Sequence, residues 1–259
     1  MNKLWLIFFF LSYQACAQDN NKEHWIQLFN GKDLDNWQVK FKGQELGVNY
    51  KNTFRVENGI LKVDYTNHQE FDGNFGHLFY NQEFSHYILR AEYRFVGEQV
   101  PNGPDWAVRN NGFMVHSQSA ASMGLDQDFP ISIEAQLLGG IGEGPRQTNN
   151  LCTPGTNVVL GDSLFTNHCI RSTSKTYDGD QWVEVSIVVL GDSLIHHLVE
   201  GDTVLTYYKP QIGGGVVNGY DPAIKQDGKL LEKGFIAIQA ESAPTEFRKI
   251  ELLELKPEH

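Results

Sequence analysis

Glu134 and Gln136 alternate with Ile133, Ala135 and Leu137 in the stretch FPISIEAQLLGG, Phe129 to Gly140. That period of two reads as a strand, with Ile131, Ile133, Ala135 and Leu137 on one face and Ser132, Glu134 and Gln136 on the other. A solvated face is the ordinary meaning of such a pattern. Neighbouring segments argue for more: NNGFMVHSQ brings Asn111, His116 and Gln118, and GFIAIQAES brings Gln239 and Glu241. Amides both donate and accept, so strands lined with them suit a ligand rich in hydroxyls, and carbohydrate is the natural one. Trp106, in the Pro/Gly-rich segment VPNGPDWAVRNNG, could stack on a sugar face or anchor its own loop, and Arg109 lies beside it.

The chemistry follows from what the strand lacks. Retaining glucanases built on jelly rolls place two carboxyl groups on one strand, in a pattern like E-x-D-x-x-E, about 5 Å apart. This strand reads Glu134-Ala135-Gln136-Leu137-Leu138-Gly139, with an amide and a glycine at the second and third positions. Gln neither donates an acidic proton nor acts as a nucleophile. The expected set is one base, Glu134, with His116 close to it and several amides, which suits proton abstraction better than two-carboxylate hydrolysis. His168 directly precedes Cys169, so a bridge there would fix its backbone. His196 and His197 are adjacent and would face opposite ways on a strand. The sequence holds no HExxH, EF-hand, Walker or G-x-S-x-G motif, and Asp126-Gln127-Asp128 reads as a loop feature. No cofactor is called for by a motif; a divalent metal assembled from dispersed His and Glu stays open.

These residues need a scaffold. The chain has 259 residues, 41% of them hydrophobic, enough for a sizeable core. Its formal charge of -11 argues against nucleic acid as a partner, which calls for a basic surface. After Lys3 the run LWLIFFFL has the length of a signal-peptide core, and Ala15-Cys16-Ala17 offers small residues for cleavage. The expectation is export by a signal peptide over residues 1–17, to the periplasm or to a lipid anchor at the outer membrane or cell surface. Lipid on Cys16, after a loose lipoprotein signal, would attach the chain to a membrane. In an oxidising compartment, Cys152 and Cys169 pair by default.

Beyond the signal, period-2 runs dominate. Phe54 to Tyr65 holds two short strands around Asn58-Gly59, a hairpin signal, and His86 to Val96 alternates cleanly. The segment Gly213 to Lys229 reads as a glycine-rich surface loop, perched over a site. LGDSL occurs at Leu160–Leu164 and again at Leu190–Leu194, and reads as turn chemistry used twice. Many strands without helices predict an all-β fold, a large two-sheet β-sandwich of jelly-roll type over residues 24–256, with no linker that would divide it.

Five blocks in order resemble the 3-keto-disaccharide hydrolase domain family: WIQLFNGKDLDNWQV, FRVENGIL, NNGFMVHS, ISIEAQLLGG and GFIAIQAESAPTEFRKIELLEL. The resemblance spans Trp25 to Leu255 and implies a fold similar to concanavalin A-like lectins and glucanases. It implies cleavage of 3-keto-glycosides, in which a C3 ketone acidifies the C2 proton, the aglycone leaves from C1 by elimination, and water adds afterwards. By this resemblance Glu134 or His116 takes the C2 proton. Arg109, Asn111, Gln136 and Gln239 hold hydroxyls or polarise the C3 oxygen, with a divalent metal as a further option there. Trp106, Gln118, His168 and Glu241 complete the candidate substrate site. Many members of the family carry His where this chain has Glu241, which leaves that role open. The alternatives are a noncatalytic glycan-binding, lectin-like module and a conventional glycoside hydrolase.

Overall fold

The computed structural model describes residues 23–257; the expected export signal and Cys16 lie outside the described residues. The described residues form seventeen strands. In chain order these are β1 (Trp25–Gln27), β2 (Trp37–Phe41), β3 (Phe54–Glu57), β4 (Ile60–Val63), β5 (Gly76–Tyr80), β6 (His86–Phe95), β7 (Asn110–Ser117), β8 (Ile133–Leu138) and β9 (Asn150–Cys152). There follow β10 (Thr156–Leu160), β11 (Ser163–Phe165), β12 (Cys169–Ile170), β13 (Val183–Leu190), β14 (Leu194–Val199), β15 (Asp202–Ile212), β16 (Phe235–Ala240) and β17 (Thr245–Glu254). Three short 3-10 turns interrupt them, two of which, Asp105–Ala107 and Ala120–Ser122, flank β7.

The strands make two antiparallel sheets. The larger runs β11-β10-β15-β14-β13-β6-β17-β4-β3, with β1 added on β17; the smaller runs β12-β9-β8-β7-β16-β5-β2. This is the expected all-β, two-sheet sandwich. The hairpin at Asn58-Gly59 forms with both residues at positive φ, the backbone that a tight turn matching strand twist requires.

Each sheet turns one face inward. On β6, Tyr87, Leu89, Ala91, Tyr93 and Phe95 are buried while the residues between them are partly exposed. They pack in one core with Phe113, Ile133, Ala135, Leu137 and Ile238 of the smaller sheet. Burying each large apolar side chain stabilises the fold by about 1.5–3 kcal/mol.

The two outward faces differ. That of the larger sheet is a field of ion pairs, among them Arg90 with Glu251 and Arg94 with Glu246, and behaves as a solvated surface. The outward face of the smaller sheet is covered by loops, and its polar residues are buried. A buried polar face needs a reason, because desolvating polar groups costs free energy unless they find partners.

Candidate active site

The floor of the covered face comes from β7, β8 and β16. Ile133, Ala135 and Leu137 point into the core, so Glu134 and Gln136 point to the covered face. Gln239 sits on the same face of β16, and Glu241 follows one residue after that strand ends. Between β8 and β16 lies Gly112 of β7, opposite Gln136. A Cβ on Gly112 would come within 2.6 Å of Gln239 Oε1 and 2.8 Å of Glu134 Oε1. The missing side chain is what lets the carboxylate and the amide meet.

Loops raise walls around this floor. Trp106, 52% exposed, stacks on Phe75, which packs in turn on Phe129. Gln127 Nε2 donates to Gln118 Oε1 and to the Phe129 carbonyl, folding the loop that delivers Phe129. Asp128 accepts from the backbone N–H and side-chain amide of Asn218, tying this loop to the glycine-rich one. The glycine-rich loop places Val216 at the rim in a left-handed conformation, φ 56°, unusual for a β-branched residue. On the far side Cys152 pairs with Cys169 in a disulfide, directly across from one another on β9 and β12. Trp106, Asn110, Phe129, Glu134, Gln136, Pro154, His168, Cys169, Val216 and Glu241 enclose a cavity of about 360 Å³.

The cavity is electrostatically unusual. Glu134 and Glu241 are 5% and 3% exposed. Burial pushes both carboxyl groups well above the usual carboxylate range. The Gln239 amide pulls Glu134 part of the way back, whereas the charge of Glu134 pushes Glu241 further up. As pH rises Glu134 is therefore the first of the two to ionise, and Glu241 keeps its proton longer. Several buried polar atoms around it have no hydrogen-bond partner among the described residues: Asn110 Oδ1, His168 Nδ1, Glu241 Oε2 and both ends of the Gln239 amide. Gln136 Oε1 accepts from Asn150 Nδ2, which orients the amide and leaves Nε2 to donate. A site holding two carboxyl groups that ionise at different pH, with unpaired amide groups beside them, can move a proton and bind an oxyanion.

The structure brings together Glu134, Gln136, Gln239, Glu241, Trp106 and His168, and separates four residues expected beside them. His116 is the first correction. It sits at a β-bulge where β7 pairs with β16 and has φ 49°, so its side chain leaves the alternation. It points between the sheets, and its Nε2 bonds to the Gly191 carbonyl on the turn after β13. Asn111 faces the core as well; its Nδ2 donates to the Gln239 carbonyl and Thr245 Oγ1, and Asn110 lines the cavity in its stead. Arg109 is bound to the Gly179 carbonyl and Asp180 and lies against Phe95. Gln118 is spent on the loop through Ser122, Gln127 and Ile131. The expectation of a single carboxyl group at the base's side also fails, since Glu241, just past the end of β16, brings a second to the cavity where β8 has only Gln136.

Asn110, Gly112, Phe129, Pro154 and Val216 escaped the sequence reading. Two had a signal: Gly112, a glycine inside a strand pattern, which marks close approach of other groups, and Val216, through the expectation that its glycine-rich loop sits over a site. His77 also escaped it. It is Cα partner to Gln239 on β5, is fully buried, and has no partner for either ring nitrogen among the described residues. Burial, aided by the charge of Lys40, lowers its pKa to about 3 and keeps the ring neutral.

As to metals, the described residues contain one trio of close His/Cys/Asp/Glu ligand atoms, from Cys152, His168 and Cys169. Its two sulfurs are spent in the disulfide, so it offers no thiolate and does not fit a metal. The oxygens of Glu134, Glu241 and the unpartnered Gln239 Oε1 are the hard donors that a divalent cation such as magnesium or calcium takes.

Comparison with known proteins gives a family and a shared fold. The model of a family described as the 3-keto-alpha-glucoside-1,2-lyase-like domain matches residues 24–253. No curated protein matches the chain. Two solved structures from Parabacteroides distasonis, both described as candidate glycosyl hydrolases, share the fold. One has a TM-score of 0.55 at 16% identity, covering 90% of this chain and 94% of its own. The other has a TM-score of 0.53 at 15% identity, covering 90% of this chain and 100% of its own.

Proposed function

The chain belongs to the 3-keto-alpha-glucoside-1,2-lyase-like domain family, and from that premise we propose that it cleaves the glycosidic bond of sugars oxidised to a ketone at C3. The observation that carries this reading is the buried pair of Glu134 and Glu241, two carboxyl groups lining the same cavity, of which Glu134 is the first to ionise.

Glu134, the member that the Gln239 amide favours as an anion, removes the C2 proton. The C–H electron pair forms a C2=C3 enolate, and the negative charge falls on the C3 oxygen. Gln136 Nε2, left free by the bond from Asn150 to its oxygen, is the cavity-lining donor for that charge. The enolate collapses to the ketone, the C1–C2 double bond forms, and the C1–O bond breaks. Glu241 gives its proton to the departing oxygen. It then takes a proton from water as hydroxide adds to C1, and Glu134 returns its proton to C2. The product is the free 3-keto sugar, and both carboxyl groups are back in their starting states. Trp106 stands at the mouth, where a sugar face can stack. A divalent cation held by Glu134, Glu241 and Gln239 Oε1 would polarise the C3 oxygen but would take both carboxyl groups as anionic ligands, so the proton transfers above are those of the metal-free site.

We assign the protein to an exported setting, periplasmic or anchored through a lipid on Cys16. The Cys152–Cys169 bond supports an oxidising compartment. The mass of the mature N-terminus in membrane and soluble fractions tests both forms.

A second reading, conventional glycoside hydrolysis, is favoured by the same two carboxyl groups. The deciding experiment follows aglycone release from an α-glucoside and from its 3-keto derivative, with and without added divalent metal. Turnover of the keto form alone supports elimination. Turnover of the plain glucoside overturns it in favour of hydrolysis, and binding of either without turnover would make the protein a glycan-binding module.

A further inference from the structure

The chain crosses from one sheet to the other immediately after Glu241. It leaves the smaller sheet at Ala240 and enters the larger at Thr245, so Glu241, Ser242, Ala243 and Pro244 make the corner. Ser242 in that corner has φ 99° and is fully buried. A non-glycine residue held there is strained and persists only where its surroundings over-determine it. Glycine would adopt this backbone freely, so the presence of serine points to a use for its hydroxyl.

The surroundings do over-determine it. The Ser242 N–H donates to Tyr65 Oη at 2.8 Å. Gln99 Nε2 donates to Ser242 Oγ at 2.7 Å and to the Pro104 carbonyl at 2.9 Å. The Val100 N–H donates to the Ser242 carbonyl at 3.1 Å. A Cβ on Gly103 would fall 2.4 Å from Gln99 Nε2 and 2.7 Å from Ser242 Oγ, so this clamp closes only over a glycine. Asn111 holds the other flank through the Gln239 carbonyl and Thr245 Oγ1. Tyr65 and Gln99 line a different cleft, shared with His68 and Pro101, and neither lines the cavity of Glu134.

We propose that Tyr65 and Gln99 are positioning residues: they lock Ser242 in its left-handed conformation, and the locked corner aims the Glu241 carboxyl at the leaving oxygen. The inference rests on Glu241 being the acid of the reading above. Up to release of the aglycone, before water adds, only the protonation of the leaving group depends on that aim. Removal of the C2 proton by Glu134 does not.

Leaving-group dependence of aglycone release in single turnovers therefore tests it, with kcat and KM below those of that step. Methyl 3-keto-α-glucoside has an aglycone that must be protonated as it leaves; the 4-nitrophenyl glycoside does not. In Tyr65→Phe and in Ser242→Gly, kcat for the methyl substrate should fall about 10-fold or more, the scale of a misplaced catalytic group, with KM within about twofold. The 4-nitrophenyl substrate should be turned over nearly as in the parent. Ser242→Gly relieves the strained backbone and should melt at or above the parent temperature, which separates lost aim from lost fold. Unchanged kcat for the methyl substrate, or equal losses for both, would overturn the proposal. Glu241→Gln run alongside tells the two failures apart. If it shows the leaving-group-dependent loss and the corner variants do not, only the positioning role falls; if it shows none, the assignment of Glu241 falls and the positioning role with it.

Discussion

The Glu134 carboxylate and the Gln239 amide meet above Gly112, in the space where that residue would carry a side chain. Gly112 has ordinary extended backbone, so alanine can be accommodated by the chain but not by the two groups above it. Gly112→Ala should keep the fold and lower kcat by about 10²-fold, as displaced reacting groups do. Near-parental melting with lost turnover is the expected result. Full activity would mean that the carboxylate and amide work from other positions.

The two carboxyl groups predict a pH–rate profile displaced to high pH. Burial raises both, so the limb on which Glu134 ionises lies above the ordinary carboxylate range, and the limb on which Glu241 loses its proton lies higher still. Activity on the keto substrate should rise with pH through neutrality and fall at alkaline pH. Glu134→Gln and Glu241→Gln should each cost about 10²–10⁴-fold in kcat, with the respective limb lost from the residual rate. An acidic limb near pH 4.5 would remove Glu134 from the role of base.

Stability should respond to pH with two opposite signs. A carboxyl group raised in the fold contributes stability below its unfolded pKa that is lost as pH climbs toward the folded value. Glu134 and Glu241 therefore destabilise the fold as pH rises. Buried histidines act the other way. His77, His116 and His197 have pKa values lowered by burial to about 3, 4 and 4, so the unfolded chain takes protons that the folded one refuses. Stability is lost as pH falls below about 6.5, the unfolded histidine value. Melting temperatures across pH 4 to 9 should show both trends, and the double variant Glu134→Gln, Glu241→Gln should lose the decline toward high pH and keep the acid one. A double variant that parallels the parent at every pH would contradict the raised carboxyl groups.

The Cys152–Cys169 bond closes a loop with a sequence separation of 17 and forms one wall of the cavity beside His168. Reduction should cost about 3 kcal/mol of stability, the loop-closure value for this length. Because Cys152 is the Cα partner of Glu134 across β8 and β9, reduction should also lower turnover at temperatures where the protein remains folded. Denaturant melts and initial rates with and without reductant measure both effects.

Trp106 stacks on Phe75 and leaves half its surface at the mouth of the cavity. If it receives a sugar face, Trp106→Ala should raise KM about 2- to 10-fold, the worth of one aromatic contact, with kcat little changed. A fall in kcat without a change in KM would instead make it an anchor for its loop.

Much of this protein was legible without coordinates. The period-2 runs of β6 and β8, the Asn58-Gly59 turn and the pair Cys152 and Cys169 determined an all-β sandwich, its hairpin and its bridge, because strand alternation and turn geometry are local properties of the backbone. The same alternation determined that Glu134 leaves the core. Only the tertiary structure decided what Glu134 meets. A bulge turned His116 inward, and one residue of register exchanged Asn111 for Asn110 at the cavity. Gln118 was drawn into holding a loop, and Arg109 into a contact with Gly179 and Asp180. Glu241, far along the chain, became the second carboxyl group because the corner at Ser242 swings it there. Bulges, registers and sheet crossings depend on which distant strands pair, and a single strand read alone carries no record of its neighbours.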